Sequence, residues 1–571
     1  MEYLFVILNL ICVYAVLATS LNLIKGYGGL FSVAHAAFFG IGAYAYALVS
    51  MKLGIWFVPA LAIAFAVAGA ASLVISIPSL RTSGEYLLLT TFAVQVLASS
   101  LFLNLDITGG PAGIRNIPPV SLLAGVVGPR AGVLLVSLLV ALGCWCVMFE
   151  MARSPFGRVL KAIREDEFVS VSLGKNVVTF KVAAFAIGCG FAGLAGGLYA
   201  ELLSFINPDS FSIYMSFTII VMVMVGGLAN PWGGIVGAVV LTCLEEALRV
   251  TLPSAIGAHV AQVLFGVTLV GVVLWREHGL FPEHGASTLR DDAQALRRRG
   301  GGSTRQLAPT TQSPRAQRPS QRGLLQVVDV HKAYGGIKAV AGVSLAVDSG
   351  EIVGVIGPNG AGKTTLFDLL SGAVPPDSGE VRLDGVRVDR LATHQLAAHG
   401  IGRLFQDARP FKNMTVLDNV LVSFAGARRE NPLLSWIPFD HANEQQRIAR
   451  AHAHLDFIGL TAHANERASA LSFGQQKLLG FTRLLAQQAT VWLLDEPAAG
   501  IDPAMRQEIR AVIRRSRDEL GVTVVIVEHN MDFLKDLADR VLFMAEGKVL
   551  REGKLESIVA DPELTRLYLG A

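Results

Sequence analysis

Long apolar runs fill the first 275 residues and then stop. Stretches of the length a helix needs to cross a hydrocarbon core, about 20 residues, fall near 3–24, 30–50, 55–78, 86–103, 131–150, 182–203, 212–228, 233–250 and 255–275, which predicts about nine spans. The apolar piece Ile117–Val127 is shorter and reads as re-entrant or interfacial. One loop, 151–181, breaks the pattern. Arg153, Arg158, Lys161, Arg164, Lys175 and Lys181 are interspersed there with Val159, Ala162, Ile163 and Phe168, which predicts a short amphipathic helix. Past residue 324 the rhythm changes to short apolar runs, Ile352–Ile356, Val491–Leu494 and the segment VTVVIV, each reading as a strand, with helical patterns between them. The chain is therefore multi-domain: a polytopic α-helical membrane domain over 1–275, then an α/β domain over 324–571.

The 571 residues carry a net charge of only +3, which gives no basis for a nucleic-acid partner. The hydrophobic share of 52% and the mean hydropathy of +0.50 come from the N-terminal half. Cys12, Cys144, Cys146, Cys189 and Cys243 all lie in apolar runs, predicting buried, inert thiols and no disulfide framework. Met1-Glu2 opens without a basic n-region, so the first span reads as retained. Placing the basic loop 151–181 inside the cell puts Lys25, Arg81 and Arg276 there too, with the N-terminus outside and the C-terminal half in the cytoplasm. Gly193 and Gly197, like Gly233 and Gly237, are spaced for close approach of helix backbones. His35, Gln95, Glu245 and Glu246 sit at membrane depth. A lined pathway is one reading; packing is favoured, with Glu245 pairing to Arg249 and His35 bonding a backbone carbonyl. Residues 276–323, including RRRGGGSTRQLAPTTQSPRAQRPSQRG, hold too few large apolar groups to fold. They read as a flexible basic linker with an r.m.s. span of roughly 35–40 Å.

Chemistry is concentrated in the second half. Gly357, Pro358, Asn359, Gly360, Ala361, Gly362, Lys363 and Thr364 fit G-x-x-x-x-G-K-[ST], after an apolar run and before a helical pattern. Glycines there let backbone N–H groups surround phosphates at a helix N-terminus. Lys363 reaches the outer phosphates, the Thr364 hydroxyl can ligate Mg²⁺, and Thr365 adds a phosphate hydrogen bond. The run Val491–Leu494 ends in Asp495 and Glu496. With a phosphate loop upstream, the first carboxylate suits the Mg²⁺ shell and the second suits water activation. A third apolar run ends in Glu528-His529; His529 can contact a γ-phosphate, although a strand-end His by itself is more often structural. In LSFGQQK, Ser472 or Gly474 reads only as a helix cap.

This order of motifs resembles the ABC transporter ATPases over nearly all of 324–571. The resemblance implies that Tyr334 stacks on adenine, that 357–364 is the Walker A loop, and that Gln406 is the Q-loop glutamine reaching Mg²⁺ and the membrane subunit. It implies further that LSFGQQK is the signature motif, with Ser472, Gly474 and Gln475 touching nucleotide and Phe473 where many families have Gly. Asp495 and Glu496 match the Walker B aspartate and catalytic glutamate, Asp502 the D-loop, and His529 the switch histidine. Lys363, Glu496 and His529 are thus the expected catalytic set, with Thr364, Gln406 and Asp495 expected at the metal. The segments FQDARPFKNMTVLDNVLV, DEPAAGIDP and TRLYLGA resemble LivG-type subunits of branched-chain amino acid importers. In the membrane half, SLNLIKGYGGLFSVAHAAFFGIGAYAYAL, TGGPAGI and FAGLAGGLYA resemble the LivM-type permease, and loop 151–181 corresponds to its coupling loop. Phe168, Val169 and Ser170 depart from the small residues usual in that loop.

The resemblance implies an ATP-driven importer subunit in a bacterial cytoplasmic membrane, acting on ATP with Mg²⁺. One phosphate loop and one signature cannot build two composite sites. A second ATPase domain (LivF-type), a second permease (LivH-type) and an external substrate-binding protein are therefore expected. Urea, short amides or small carboxylates are alternative cargo. A membrane-anchored regulatory ATPase is the alternative of another class.

Overall fold

The computed structural model describes residues 2–79, 84–118, 129–251, 263, 266–267, 271, 276, 279–283, 324–426, 430–432, 434–436 and 441–569. They divide into two units. The first comprises Met1–Arg164, Val177–His284 and Arg428–Phe439; the second comprises Glu165–Asn176, Gly285–Ala427 and Asp440–Ala571.

In the first unit each long apolar run forms a helix: α1 (Glu2–Asn22, continued by a π-helical turn Leu23–Tyr27), α2 (His35–Leu53), α3 (Phe57–Ser79), α4 (Gly84–Asn104), α5 (Pro129–Arg153), the amphipathic α6 (Pro155–Glu165), then, beyond α7 (Glu167–Ser172), α8 (Val177–Leu203), α9 (Ile213–Gly226) and α10 (Gly233–Thr251). Six of them, α1 to α5 and α8, are long and apolar enough to cross a membrane, and α9 is a shorter apolar helix. Eight of the nine predicted runs thus fall on helices, while 255–275 lies almost wholly outside the described residues. So does most of Ile117–Val127. Just before it, β1 (Ile114–Arg115) pairs antiparallel with β2 (Phe205–Ile206).

Small residues set the helix spacing. A Cβ on Gly42 of α2 would lie 2.1 Å from the Gly193 carbonyl oxygen of α8, and one on Gly237 of α10 would lie 1.8 Å from the Met222 oxygen of α9. Of the polar residues at depth, Gln95 and His35 are packing groups; Glu245 is exposed, and the side chain of its expected partner Arg249 lies outside the described residues. Gln95 is fully buried; its Oε1 accepts from the Ala37 N–H and the Ser216 hydroxyl at 2.9 and 3.1 Å, and its Nε2 donates to the Phe211 carbonyl at 2.8 Å. His35 Nε2 meets the Ser20 hydroxyl at 2.9 Å, and that hydroxyl donates to the Leu17 carbonyl at 2.8 Å. Cys12, Cys144 and Cys189 are buried as expected, but Cys243 is exposed, and so is Cys146, because two residues beyond Cys144 the helix turns its side chain to another face.

The first linker residues are also placed differently from the compositional reading. Leu280 and Phe281 donate backbone N–H groups to the Val225 and Gly226 carbonyls at 2.8 and 3.0 Å. Glu283 pairs with Lys161 and Arg164 at 2.8 and 2.7 Å. Helix α9 ends with carbonyls that have no intrahelical donor, and residues 280–281 supply them. The rest of the linker, 284–323, lies outside the described residues.

In the second unit a six-stranded sheet has the order β12-β11-β5-β10-β9-β8. Its strands are β5 (Ile352–Ile356), β8 (Ile401–Leu404), β9 (Val491–Asp495), β10 (Thr523–Val527), β11 (Arg540–Ala545) and β12 (Lys548–Gly553), all parallel except β12. A second, antiparallel sheet has the order β4-β3-β6-β7, from β3 (Leu325–Tyr334), β4 (Ile337–Val347), β6 (Ser378–Leu383) and β7 (Val386–Arg387). Strands β5, β9 and β10 are buried at every position, which is why they read as continuous apolar runs rather than alternations. Among the helices of this domain are α11 (Lys363–Leu370), α12 (Val416–Ser423), α13 (His441–Ile458), α14 (Phe473–Gln487) and α15 (Pro503–Leu520).

Candidate functional site

Chain order and spatial order differ in the main sheet, and that difference builds the site. Strand β10, last of the four in sequence, lies between β5 and β9. Parallel pairing in register, Val527 with Val355 and with Asp495, and Leu404 with Leu494, brings four carboxyl ends to one edge. Open α/β sheets bind ligands at such an edge. From it emerge the loop 357–362, Gln406, Asp495-Glu496 and Glu528-His529.

The phosphate loop follows β5. Gly357, Gly360 and Gly362 have φ of +152°, +80° and +95°. At Gly357 a Cβ would lie 2.0 Å from the Met544 carbonyl oxygen, and at Gly362 2.1 Å from that of Ala339. Lys363 opens α11, and its Nζ donates to the Gly357 and Pro358 carbonyls at 2.7 and 2.9 Å. Burial holds its pKa below the ordinary lysine value, opposed by the charges of Glu496 and Asp495. Thr364 is exposed and Thr365 half-buried on the same turn.

Glu496 is the centre of the cluster. Gln406 Nε2 donates to its Oε2 at 2.8 Å, and His529 Nε2 lies 3.1 Å from its Oε1. Burial raises the Asp495 pKa; Arg403, whose Nη2 lies 3.4 Å from Asp495 Oδ2, lowers it, and Glu496 adds to the rise. The donor set suits Mg²⁺: a hydroxyl, an amide and one carboxylate beside a phosphate cradle are the few oxygen ligands this ion takes when phosphates and water complete its shell. Among the described residues no group of three His, Cys, Asp or Glu forms a cage of protein ligands alone.

Other expected residues lie outside this cluster. Tyr334 ends β3, 47% exposed, with Lys332 Nζ 5.7 Å from its ring centroid. Ser472 caps α14: its hydroxyl accepts the Gln475 N–H at 3.3 Å, while Gln475 Oε1 accepts the Ser472 N–H at 2.9 Å. Gly474 lies in the first turn, where a Cβ would meet Met505 at 2.7 Å. Asp502 caps α15, accepting from Met505 N at 2.9 Å. Within this chain, then, Ser472, Gln475 and Asp502 serve as helix caps.

The amphipathic loop supplies a second feature. The expected helix is two helices, because Asp166 caps α7 by accepting the Val169 N–H at 3.0 Å. Residues 165–176 belong with the ATPase unit. Arg409 pairs with Asp166 at 2.8 Å, Phe168 packs on Phe405 at 5.2 Å between ring centroids, and Gln487 Nε2 donates to the Ser172 carbonyl at 3.2 Å. The departure at Phe168 therefore has its own partner. Sequence reasoning passed over Arg403, Lys477 and the carboxylate of Glu528. Their signal was a charge inside an apolar run, visible at Arg403 in IGRLF and at Lys477 before LLGF.

Residues 3–273 match the family described as branched-chain amino acid transport system / permease component, and residues 340–499 match the ABC transporter family. The second half is similar to the high-affinity branched-chain amino acid transport ATP-binding protein BraF of Pseudomonas aeruginosa, 37% identical over 251 residues, 44% of this chain and 98% of that protein. It is similar to LivG of Escherichia coli K12, of the same description, at 36% over 250 residues, 43% of this chain and 98% of that one. A solved nucleotide-free ATP-binding cassette from an ABC transporter aligns at 29% identity with TM-score 0.39, covering 44% of this chain and 100% of its own.

Proposed function

We propose, from the premise that this chain belongs to the ABC transporter family and joins a permease component to an ATP-hydrolysing subunit in one polypeptide, that it drives import of branched-chain or related amino acids across the bacterial cytoplasmic membrane. The observation that carries the reading is the meeting of Gln406, Glu496 and His529 at the sheet edge that also bears the Lys363 loop.

In this reading the nucleotide's phosphates take the carbonyl-bound Lys363 ammonium and the N–H groups of 357–365, with adenine on Tyr334. Mg²⁺, on Thr364, Gln406 and Asp495, would neutralise charge developing on the transferred phosphoryl group. Glu496 orients and deprotonates the attacking water, and His529 and Gln406 hold that carboxylate in place. Ser472, Gly474, Gln475 and Asp502 face the nucleotide of a second ATPase domain, supplied by a LivF-type subunit; a LivH-type permease and an external binding protein complete the importer. Loop 151–181 carries the motion to the helices, with the linker 276–323 as tether and the ATPase domain 324–571 in the cytoplasm.

Glu496→Gln tests the site. Nucleotide binding is retained and hydrolysis falls by about 100-fold or more; wild-type turnover removes Glu496 from its role. Uptake of leucine against urea or a short amide in proteoliposomes containing the co-purified subunits tests the cargo, and uptake of neither sinks the amino-acid reading.

A further inference from the structure

Glu496 is held in a conformation its own chemistry disfavours. Its φ is +45°, a left-handed region that a residue with a Cβ occupies only when its surroundings fix it. Two buried charges that hydrolysis does not itself use surround it. Lys477, in the first turns of α14 and wholly buried, donates from Nζ to three carbonyls of the turn after β9: Glu496, Pro497 and Ala499, at 3.0, 3.2 and 2.8 Å. Glu528, 2% exposed, gathers three N–H groups: Ala498 on Oε1 at 2.8 Å, and His529 and Asn530 on Oε2 at 3.1 and 3.2 Å. One charge thus takes the turn's carbonyls, and the other ties its central N–H to the His529 backbone. Phe473, in the signature segment, adds a lid. Lys477 Nζ lies 5.4 Å from its ring centroid, and a Cβ on Gly500 at the far end of the turn would meet that ring at 3.2 Å.

We propose that Lys477 and Glu528 are positioning residues for hydrolysis: Lys477 holding the carbonyls and Glu528 the central N–H of the Glu496–Gly500 turn, they fix it so that the Glu496 carboxylate faces Gln406 and His529. The inference rests on Glu496 being the group that activates water. It also gives the signature segment a connection to its own chain's catalytic carboxylate, through Phe473 and Lys477. Charged hydrogen bonds of this kind are among the strong ones. Both groups grip the same backbone turn, so the loss of either frees it and the two losses should not add.

The test uses the full chain, reconstituted with its co-purifying subunits, and MgATP. In Lys477→Met, which keeps the apolar stem and removes every donor, kcat falls at least about tenfold while KM for MgATP stays within about threefold. A general packing defect would move both. Glu528→Gln, which keeps the shape, lowers kcat at least about threefold at unchanged KM. The double variant is no more than about twofold slower than Lys477→Met alone, because both groups hold one and the same turn. Wild-type kcat in Lys477→Met, parallel changes in kcat and KM, or multiplicative losses in the double variant overturn the proposal. Should Lys477→Met fail to accumulate folded, Glu528→Gln decides alone, and wild-type turnover there overturns it. Glu496→Gln, run alongside, separates the premises. Full turnover in it removes Glu496 and this inference together, whereas an inert Glu496→Gln beside a fully active Lys477→Met overturns only the present inference.

Discussion

Single residues in the phosphate loop are set by space and backbone geometry rather than by side-chain chemistry. At Gly362 both constraints meet, a φ of +95° and an Ala339 oxygen 2.1 Å from any Cβ. Gly362→Ala should lose nucleotide binding and cost roughly 1–3 kcal/mol of ATPase-domain stability, read by equilibrium binding and denaturation; wild-type affinity contradicts it. Tyr334 tests the opposite kind of residue, one whose ring is exposed. An aromatic contact of this type contributes about 0.5–1.5 kcal/mol, so Tyr334→Ala should raise KM for ATP about 2- to 10-fold at constant kcat. That the glycines, Lys363, Asp495 and Glu496 stand at strand ends was legible in the sequence, because a phosphate cradle and a strand-end carboxylate leave residue-type signatures; His529 was given its role only by the family resemblance. The roles of Lys477 and Glu528 were not legible, since their partners are backbone atoms, the Lys477 carbonyls and the Ala498 N–H lying some way off in sequence, and backbone atoms leave no mark on composition.

Among the elements, the segment 405–413 has two duties. Gln406 reaches Glu496, while Phe405 and Arg409 receive Phe168 and Asp166 of the α7 segment. Movement of one end therefore bears on the other. The Asp166–Arg409 pair is partly exposed, and such pairs contribute only about 0–1 kcal/mol to stability. Asp166→Asn combined with Phe168→Ala should therefore leave folding and basal ATPase intact and reduce substrate uptake at least about fivefold, measured in proteoliposomes. Intact uptake would show that α7 does not transmit the motion. In the membrane unit the corresponding control is Gly42, where α2 and α8 touch backbone to backbone. Gly42→Ala forces the helices apart at a cost of about 1–3 kcal/mol, read as a fall in folded protein in the membrane. The amphipathic stretch was visible as a helix by its period, but not as two helices, because Asp166 becomes a cap only when the turn around it forms.

On the scale of the whole molecule, the contact-defined units cut across the order of the chain: residues 165–176, within the permease sequence, belong to the ATPase unit. A protease site introduced between residues 300 and 310 should therefore leave the two cleaved pieces co-purifying and ATP turnover intact. The linker's contribution, an effective concentration in the millimolar range, matters for finding the partner rather than for holding it. Separation of the pieces on gel filtration contradicts this. By itself the sequence determined what depends on local composition: apolar length made the helices, glycine spacing made their close approach possible, and the order of short motifs marked an ATPase. Only the tertiary structure decided what depends on contact between distant segments. Inserting β10 between β5 and β9 put four strand ends on one edge, and burying Lys477 and Glu528 around one turn put them to use. Residues 280–283 docked on the membrane unit, despite a polar neighbourhood, because α9 ends in carbonyls that need donors. Hydrogen-bond satisfaction is a property of the folded whole, and no window of sequence contains it.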